Sequence, residues 1–430
     1  MSTASADRSK TPGILVVLIL AGLWGCGDLA ESGDSWSGTL AWEGGSHPTV
    51  AFHRESGQVL TAWVGTEDGG ESWDVYLARV QAPDPGVENS PPGDVKVIQV
   101  NHLPGDAAPH EQAPAQVRVG PEGNIYVVWQ TADWIPGREF PASELRLARS
   151  TDGGESFEDA ITVNPSTDGV PASHTFHDIA VAPEGTILVS WIDGSTRALA
   201  EARGSSREEG GLPDQEIRVA RSTDGGRSFH DPVVVDSNPC PCCRTALVVD
   251  RDGTAYLGWR KIFPGDIRDM VVARSDDGGR SFGPPARVAD DDWEIAGCPH
   301  AGPGMALDEE GSLHVAWYTG KEGGPGIYMA SSRDGAMTFS EPTPLLTAEW
   351  IPPARVALVY SLDSGITVAW EDGRESPGRL QSQRIPVGGS NATRVGGTEV
   401  EGRYPSLVAE NGLQVLAWED DEAVRLRIEW

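Results

Sequence analysis

Short apolar runs that end in tryptophan recur along the chain, each after a turn that contains glycine. The runs cover residues 60–63, 126–129, 188–191, 256–259, 313–317, 367–370 and 415–418. Another short apolar run precedes the turn, as at residues 246–249. Two apolar runs joined by a tight turn with glycine are typical of a β-hairpin. The pattern therefore predicts seven hairpins, each with a tryptophan on its second strand.

A third apolar run follows the tryptophan strands, for example at residues 145–148, 217–220 and 270–273, and a polar motif comes after it. The motif reads Ser-x-Asp-Gly-Gly-x-Ser-Phe at residues 150–157, 222–229 and 275–282, with a weaker copy at 332–339. A fourth apolar run closes the unit, as at residues 232–235. Recurrence at such intervals is typical of stacked supersecondary units. We therefore expect repeated units of four antiparallel strands.

The aspartates of this motif have a structural interpretation. A carboxylate in a tight turn accepts hydrogen bonds from nearby backbone N–H groups, and the glycine that follows it tolerates positive φ. The aromatic residue that ends the motif is expected to pack under the turn. This interpretation applies to Asp152, Asp224, Asp277 and Asp334.

The motif resembles the Asp-box of the sialidase (BNR-repeat) superfamily of β-propellers. The resemblance implies an all-β fold in which four-stranded antiparallel blades surround a central channel. Sialidases of this family have six blades, whereas the hairpins counted here predict seven, and six would return if one hairpin were misassigned. In these relatives the Asp-box lies on the face away from the active site. The resemblance therefore says much about the fold and little about the function.

The two ends of the propeller sequence are expected to meet. The last unit has three predicted strands, at residues 404–408, 414–418 and 423–429, while an unassigned strand lies at residues 37–42. If this N-terminal strand supplies the outer strand of the last blade, the ring closes without an exposed strand edge. The propeller domain is therefore predicted to cover residues 37–430.

The residues before the propeller resemble a bacterial lipoprotein signal. Arg8 and Lys10 precede an apolar run at residues 14–23 that is too short to favour a membrane-spanning helix. Leu-Trp-Gly-Cys at residues 23–26 resembles a lipobox. This predicts a signal peptide at 1–25, lipidation of Cys26 and a tether at 26–36, with a plain signal peptide as the alternative. The protein is then exported to the bacterial cell envelope, faces the periplasm or cell surface, and contacts the membrane through the lipid anchor only.

The net charge limits the possible partners. The chain has 64 Asp and Glu residues against 33 Lys and Arg residues, which gives a formal charge of −31. Nucleic acid is excluded as a partner because its phosphates would be repelled. A small molecule, a metal ion or a glycan that binds at one local site remains compatible with this charge.

The predicted topology places two sets of loops at the end opposite the Asp-boxes, over the channel. These are the loops that lead into each first strand and the loops that follow each tryptophan strand; we call this end the funnel face. Its longest loop, residues 193–215, is expected to be either a small lid or short helix, or a disordered insertion. The candidate residues on this face are His47, His110, Glu111, His174, His177, Asp178, Cys240, Cys242, Cys243, Arg244, Cys298, His300, Arg355, Arg403 and Tyr404.

Every cysteine of the predicted propeller falls on the funnel face. Thiolate and neutral imidazole are ligands for zinc and copper, and sulfur favours Cu(I). Disulfides are the alternative, since an exported chain meets an oxidising compartment, although a bridge between the adjacent Cys242 and Cys243 would be strained. A redox role for the Cys-x-x-Cys spacing is disfavoured because no helix N-terminus activates the thiol. The predicted metal ligands are Cys240, Cys242, Cys243, Cys298 and His300, together with His174 and His177.

The most specific sialidase motif is missing from its expected position. Family members carry Tyr/Phe-Arg-Ile-Pro on the first strand, where this chain reads His-Pro-Thr-Val at residues 47–50. The leading hypothesis is therefore a binding propeller with a copper or zinc site. The alternative is a glycoside hydrolase that acts on acidic sugars, since arginines can clamp a carboxylate; a purely structural surface module is a third possibility. In the alternative, the clamp is Arg244, Arg355 and Arg403, the nucleophile is Tyr404, its base is Glu111 and the acid is Asp178.

Overall fold

The chain folds into seven four-stranded antiparallel sheets that form the blades of a β-propeller. The computed structural model describes residues 39–66, 70, 72–84, 92–205, 214–386, 395–421 and 423–429. This confirms the all-β prediction and the count of seven blades rather than six. The predicted signal peptide, Cys26 and the tether lie outside the described residues.

Blades 1 to 6 each use four strands that follow one another in the sequence. Blade 1 contains β2 (Gly45–His53), β3 (Gln58–Gly65), β4 (Asp74–Gln81) and β5 (Val95–Gln99). Blade 2 contains β6 (Gln116–Val119), β7 (Ile125–Gln130), β8 (Leu145–Ser150) and β9 (Ile161–Thr162). Blade 3 contains β10 (His174–Val181), β11 (Ile187–Asp193), β12 (Glu216–Ser222) and β13 (Val233–Ser237).

The second half of the ring follows the same order. Blade 4 contains β14 (Ala246–Val249), β15 (Ala255–Phe263), β16 (Ile267–Ser275) and β17 (Ala286–Arg287). Blade 5 contains β18 (Gly304–Leu307), β19 (Leu313–Thr319), β20 (Gly326–Ser332) and β21 (Thr343–Thr347). Blade 6 contains β22 (Val356–Ser361), β23 (Gly365–Asp372), β24 (Arg379–Ile385) and β25 (Val395–Glu401). Blade 7 contains β26 (Arg403–Glu410), β27 (Leu413–Glu419), β28 (Ala423–Glu429) and β1 (Thr39–Glu43).

The ring is closed by the first strand of the chain. Strand β1 pairs antiparallel with β28, from Thr39 opposite Arg427 to Glu43 opposite Ala423. This confirms the predicted partner of the unassigned N-terminal strand. Closure protects the outer edge of β28, which would otherwise offer unpaired backbone groups to another chain.

The tryptophans of the second strands are buried between neighbouring blades. Trp129 packs in a cluster that contains Leu60 of blade 1, and Trp259 packs with Leu188 of blade 3. A fully buried tryptophan removes about 150–250 Å² from water, which corresponds to roughly 4–6 kcal/mol. The repeated tryptophan is therefore the apolar anchor between sheets. The seven residues concerned are Trp63, Trp129, Trp191, Trp259, Trp317, Trp370 and Trp418.

The Asp-box turns have the predicted structural chemistry. Asp224 Oδ1 accepts hydrogen bonds from the backbone N–H groups of Arg227 and Ser228, both at 3.0 Å. Its Oδ2 accepts the Ser228 hydroxyl at 2.6 Å. Gly226 has a φ of 78°, and its N–H donates to Ser222 Oγ at 3.0 Å. Asp152, Asp277 and Asp334 accept equivalent hydrogen bonds.

The first strands of the blades line a central channel of about 740 Å³. Side chains link these strands across blade boundaries. Thr49 Oγ1 donates to the Ala115 carbonyl at 2.6 Å, between blades 1 and 2. Asp178 accepts Arg118 Nη2 from blade 2 and the Leu247 N–H from blade 4, both at 2.9 Å. These hydrogen bonds tie the first strands of blades 1 to 4 together along the channel wall.

The long loop of blade 3 contains a short helix, α1 (Ser195–Ala202). A lid or short helix was one of the two alternatives predicted for this loop. The Ser195 N–H donates to Asp193 Oδ1 at 2.9 Å, which ties the start of the helix to the end of β11. Residues 206–213 of this loop lie outside the described part of the chain. Within the described residues, no helix has the length and hydropathy needed to cross a bilayer.

Candidate functional site

Seven structurally equivalent residues form a ring at the funnel end of the channel. They are identified from the strand pairing. In blade 1, Ala62 precedes Trp63 and pairs with Thr49 on the first strand, and the ring residue, His47, lies two positions before Thr49. The register of the other blades identifies the remaining members. The funnel ring is His47, Pro114, Phe176, Arg244, Gly302, Arg355 and Tyr404.

Three members of the funnel ring have a left-handed backbone. The φ angles are 54° at His47, 60° at Phe176 and 57° at Tyr404, and the pairing register shifts at each of these three places. Left-handed φ costs roughly 1–2 kcal/mol for a residue with a Cβ, and such outliers cluster at functional sites. A bulge in an edge of a sheet re-aims a side chain. The three left-handed residues therefore carry backbone strain at the funnel end of the channel.

Glu111 connects the funnel ring to the loop of blade 5. Tyr404 Oη donates to Glu111 Oε2 at 3.1 Å, and His300 Nδ1 lies 3.0 Å from Glu111 Oε1. The hydrogen bonds from His300 and then from Tyr404 lower the pKa of Glu111 to about 2. The Glu111 carboxylate raises the pKa of His300 above its ordinary value. This arrangement brings the predicted nucleophile and base of the hydrolase hypothesis into contact.

Neutral imidazoles surround this carboxylate. The His47 ring lies 4.6 Å from the Tyr404 ring, and the His110 ring lies 5.1 Å from Phe176 and 6.3 Å from His300. Burial lowers the pKa of His47 to about 3 and also lowers the pKa of His110. At neutral pH the funnel therefore holds an ionised carboxylate near the uncharged rings of His47 and His110, which can accept as well as donate hydrogen bonds.

The three arginines of the predicted clamp occupy two levels. Arg244 and Arg355 lie at the head of the channel, where they donate to the Val356 and Glu111 carbonyls at 2.8 and 2.9 Å. Neither Nε atom has a hydrogen-bond partner among the described residues. Arg403 lies on the exposed side and pairs with Glu419 at 3.2 Å. The predicted acid, Asp178, is in the channel wall in an ion pair with Arg118, outside the Tyr404–Glu111 contact.

Three cysteines of blade 4 form a compact buried cluster. Cys240 Sγ lies 3.4 Å from Cys243 Sγ and 3.7 Å from Cys242 Sγ. Cys240 and Cys243 are 0% and 1% exposed. The turn is held because the Cys240 N–H donates to the Arg260 carbonyl at 2.8 Å. All four cysteines of the described chain are free thiols.

Blade 5 brings two further ligand groups to this cluster. Cys298 Sγ and a ring nitrogen of His300 lie within 4.8 Å of each other and of Cys242 Sγ. The predicted convergence of the two loops is therefore present in the structure. The loops meet because first strands of neighbouring blades leave the channel side by side.

Two buried arginines supply positive charge beside the thiols. Arg268 Nη1 lies 3.3 Å from Cys240 Sγ, and Arg260, which is 1% exposed, makes four hydrogen bonds to carbonyl oxygens. Within the described residues, neither guanidinium group bonds to a carboxylate. Hydrogen bonding from Cys242 and Cys243, followed by the fields of the two arginines, lowers the pKa of the Cys240 thiol below its ordinary value. A thiolate is therefore the natural counter-charge here.

His174 and His177 lie apart from the cysteines. His174 Nδ1 contacts the Ser143 carbonyl at 2.7 Å, and its Nε2 contacts Ser195 Oγ at 2.9 Å. His177 Nε2 lies 3.3 Å from the Val128 carbonyl and is fully buried. Neither belongs to a group of described residues with metal-ligand spacing. Both side chains therefore have structural contacts within blades 2 and 3.

Comparison with known proteins supports the fold. No protein-family model and no curated protein matches the chain. Among solved structures, it is similar to an ulvan lyase, a polysaccharide lyase, with 12% identity and a TM-score of 0.53 over 92% of this chain and 94% of that one.

Two other solved structures show the same likeness. The chain is 14% identical to a protein of unknown function from Dyadobacter fermentans, with a TM-score of 0.50 over 90% and 94% of the two chains. It is 10% identical to the NanB sialidase from Streptococcus pneumoniae, with a TM-score of 0.50 over 93% and 91%. Likeness at such identities concerns the fold alone. The chain thus has a sialidase-like β-propeller fold, as the Asp-boxes predicted.

Proposed function

We propose that this protein is a metal-binding propeller whose funnel face holds a soft metal ion, copper or zinc, in the cysteine cluster. The observation that carries the proposal is the trio of buried sulfur atoms of Cys240, Cys242 and Cys243, separated by 3.4–3.7 Å from Cys240. Two thiolates on one tetrahedral zinc ion, with Zn–S bonds of about 2.3 Å, are about 3.8 Å apart. The sulfur atoms are thus spaced as metal ligands are.

The charge around the cluster favours the same conclusion. Three thiolates with Cu(I) leave a net charge of about −2 on the complex, and three with Zn²⁺ leave about −1. Arg260 and Arg268 supply two positive charges whose hydrogen bonds go to carbonyls and to sulfur. Buried charges are stable when they are paired. The arginines therefore match the metal-bound thiolates in sign, and for Cu(I) also in number.

Export and the lipid anchor at Cys26 are part of the proposal. They hold the metal site at the bacterial cell envelope, in the periplasm or at the cell surface. Membrane fractionation of the native protein and of a Cys26→Ser variant tests this part: we expect the native protein in the membrane fraction and the variant in the aqueous fraction. An unchanged distribution would contradict the anchor.

Elemental analysis tests the metal site directly. The full chain is kept reduced, equilibrated with Cu(I) or with zinc, desalted and analysed. We expect at least one tightly held metal ion per chain, and loss of the metal in Cys242→Ser, because metal ligation requires the thiolate. The Cys26→Ser variant is the matched control, since it removes a cysteine outside the propeller and should retain the metal. A native chain that retains no metal would contradict the proposal and favour disulfides.

A second candidate function is a glycoside hydrolase that acts on acidic sugars. The observation that favours it is the 3.1 Å contact between Tyr404 Oη and Glu111 Oε2, above the buried guanidinium groups of Arg244 and Arg355. A tyrosine hydroxyl that donates to a carboxylate places a nucleophile and a base within hydrogen-bond reach. Turnover of a fluorogenic sialoside, abolished in Tyr404→Phe, would support this candidate. Absence of turnover in the native protein would leave the metal-binding function alone.

A further inference from the structure

Five potential ligands lie in two groups rather than in one. The first group is Cys240, Cys242 and Cys243, and the second is Cys242, Cys298 and His300. Within each group all ligand atoms lie within 4.8 Å of one another, and no larger set of described residues meets that condition. Cys242 alone belongs to both groups.

One metal ion cannot bind all five ligands, because they are spread too far apart. With metal–sulfur bonds of about 2.3 Å, two ligands on the same ion are at most about 4.6 Å apart. Each group of three comes close to this limit or lies within it, whereas the five atoms together do not. The geometry therefore provides two positions for a metal, with the Cys242 sulfur at the corner that they share.

We propose that the funnel face binds two metal ions bridged by the Cys242 thiolate. The inference rests on the proposed metal-binding function and deepens it. The closed position is bounded by Cys240 and Cys243, and the open position by Cys298 and His300. A thiolate has several lone pairs, so Cys242 can ligate both ions while every other ligand serves one.

The two positions differ in chemistry. The closed position has three sulfur ligands and is almost fully buried, which suits Cu(I) because soft thiolates select that ion. The open position has two sulfurs and one imidazole, and the His300 side chain is 41% exposed. Two cysteines and one histidine form a known donor set for a catalytic metal that keeps one coordination site for water or substrate.

Glu111 completes the open position from outside. Its Oε1 lies 3.0 Å from His300 Nδ1, so Nε2 would be the nitrogen that binds the metal. A carboxylate on the far nitrogen of a ligating histidine fixes the orientation of the ring and increases its basicity. Because Glu111 also accepts the Tyr404 hydroxyl, a ligand on the open metal would lie next to the funnel ring.

Stoichiometry with Cu(I) as the probe tests the inference. The reduced full chain is titrated with Cu(I) against a competing chelator, and retained copper is counted after desalting. We expect two ions per native chain, one per chain in Cys243→Ala and one in His300→Asn. X-ray absorption should show a copper–copper distance in the native protein that both variants lack.

The outcomes separate the inference from the function on which it rests. No retained copper in the native chain overturns both. One ion per native chain, lost in Cys243→Ala and in His300→Asn alike, overturns the bridged pair and leaves a single metal site. Because Cys243 is buried, its variant is first checked by circular dichroism and thermal melting; the partly exposed His300 provides a variant that does not disturb the core. One ion retained in His300→Asn against two in the native chain supports the open position even if Cys243→Ala fails to fold.

Discussion

The two ends of the propeller are built from the same seven blades but use their residues in opposite ways. At the Asp-box end one motif recurs, and each carboxylate is satisfied by its own turn, as Asp224 is by Arg227 and Ser228. At the funnel end, the seven equivalent ring positions carry six residue types, and two guanidinium groups keep an Nε without a partner among the described residues. Repetition thus marks the residues that fold a blade, and departure from repetition marks the candidate site.

The physical reason is the sequence separation between the polar groups at each end and their hydrogen-bond partners. A turn of eight residues can supply its own donors and acceptors. A funnel residue depends on other blades: Tyr404 donates to Glu111, which is 293 residues away in the sequence. Such contacts form only when the ring is complete. The funnel can therefore carry strain and unpaired groups that an isolated blade would not tolerate.

The largest effect should come from crowding an Asp-box turn. In Gly279→Ala the new Cβ would lie 2.5 Å from Leu188 Cδ2, at a φ of 81°, and Leu188 is buried. Left-handed strain and overpacking together should lower the free energy of unfolding by about 3 kcal/mol. Urea denaturation measures this, while copper retention by the folded fraction should stay unchanged because the site is at the other end.

The neighbouring glycine provides the matched control for this test. Gly278 has a φ of 69°, and an added Cβ would meet no atom within 4 Å. Gly278→Ala should therefore cost only the backbone strain, about 1–2 kcal/mol. Equal losses for the two variants would show that the contact with Leu188 is not tight.

The two ends should also titrate in different pH ranges. Burial lowers the pKa of His177, beside the funnel ring, to about 4 from an ordinary value of 6.5. The unfolded chain then binds this proton first, so the contribution of His177 to stability falls between pH 6.5 and about 4 by up to about 3 kcal/mol and levels off below. His47, whose pKa is lowered to about 3, adds a loss in the same direction that continues to lower pH. Asp152 and Asp277, whose turn hydrogen bonds hold the pKa near 2, stabilise the fold above pH 3.8 and lose that contribution as pH falls towards 2.

Urea denaturation at pH 7, 5.5 and 4 checks the first range. The loss should be smaller in His177→Gln, which keeps a polar group near the Val128 carbonyl but does not titrate. The exposed His230→Gln serves as control and should follow the native curve. If His177→Gln loses as much unfolding free energy as the native protein between pH 6.5 and 4, the acid sensitivity belongs to other groups.

A smaller effect is expected when one Asp-box loses its carboxylate. Asp224→Ala removes the acceptor of two backbone N–H groups and two hydroxyls in an exposed turn. Water replaces part of these bonds, so the loss in unfolding free energy should be about 1–2 kcal/mol. Asp231→Ala, a nearby exposed residue, should have no measurable effect on thermal melting. No difference between the two would mean that the box carboxylate is dispensable.

Local patterns predicted the blades and the ring closure. The tryptophan hairpins and the Asp-boxes follow from short apolar runs and turn chemistry, which act over a few residues. The pairing of β1 with β28 follows from the strand that the last blade lacks. The strained backbone at Phe176 was not predicted, since positive φ there arises from a register shift imposed by neighbouring strands. The funnel ring could have been found from the predicted hairpins. In each hairpin, the residue before the tryptophan has a partner on the first strand, and the ring residue lies two positions before that partner.

Assigning residues to a class of loops predicted where they lie in the propeller, but it did not predict where their side chains point. Cys240 and Cys298 lie on adjacent loops, and the structure brings their cluster together as the sequence suggested. His174 and His177 were placed on the funnel face by the same argument, yet their rings turn into the wall between blades 2 and 3. The register shift between Thr175 and Asp178 breaks the alternation of side chains along this strand, and loop class alone does not reveal such a shift.

The smallest effect on the free energy of unfolding is expected from Tyr404→Phe, which also tests whether the funnel ring and the cysteine cluster are separate. The change removes one partly buried hydrogen bond, from Tyr404 Oη to Glu111 Oε2, and keeps the ring beside His47. The free energy of unfolding should fall by about 1 kcal/mol or less. Copper stoichiometry should stay the same, because Tyr404 lies outside both proposed metal positions, whereas any turnover of an acidic sugar should disappear. If Tyr404→Phe lost copper as well, the funnel ring and the cysteine cluster would be one site rather than two neighbouring ones.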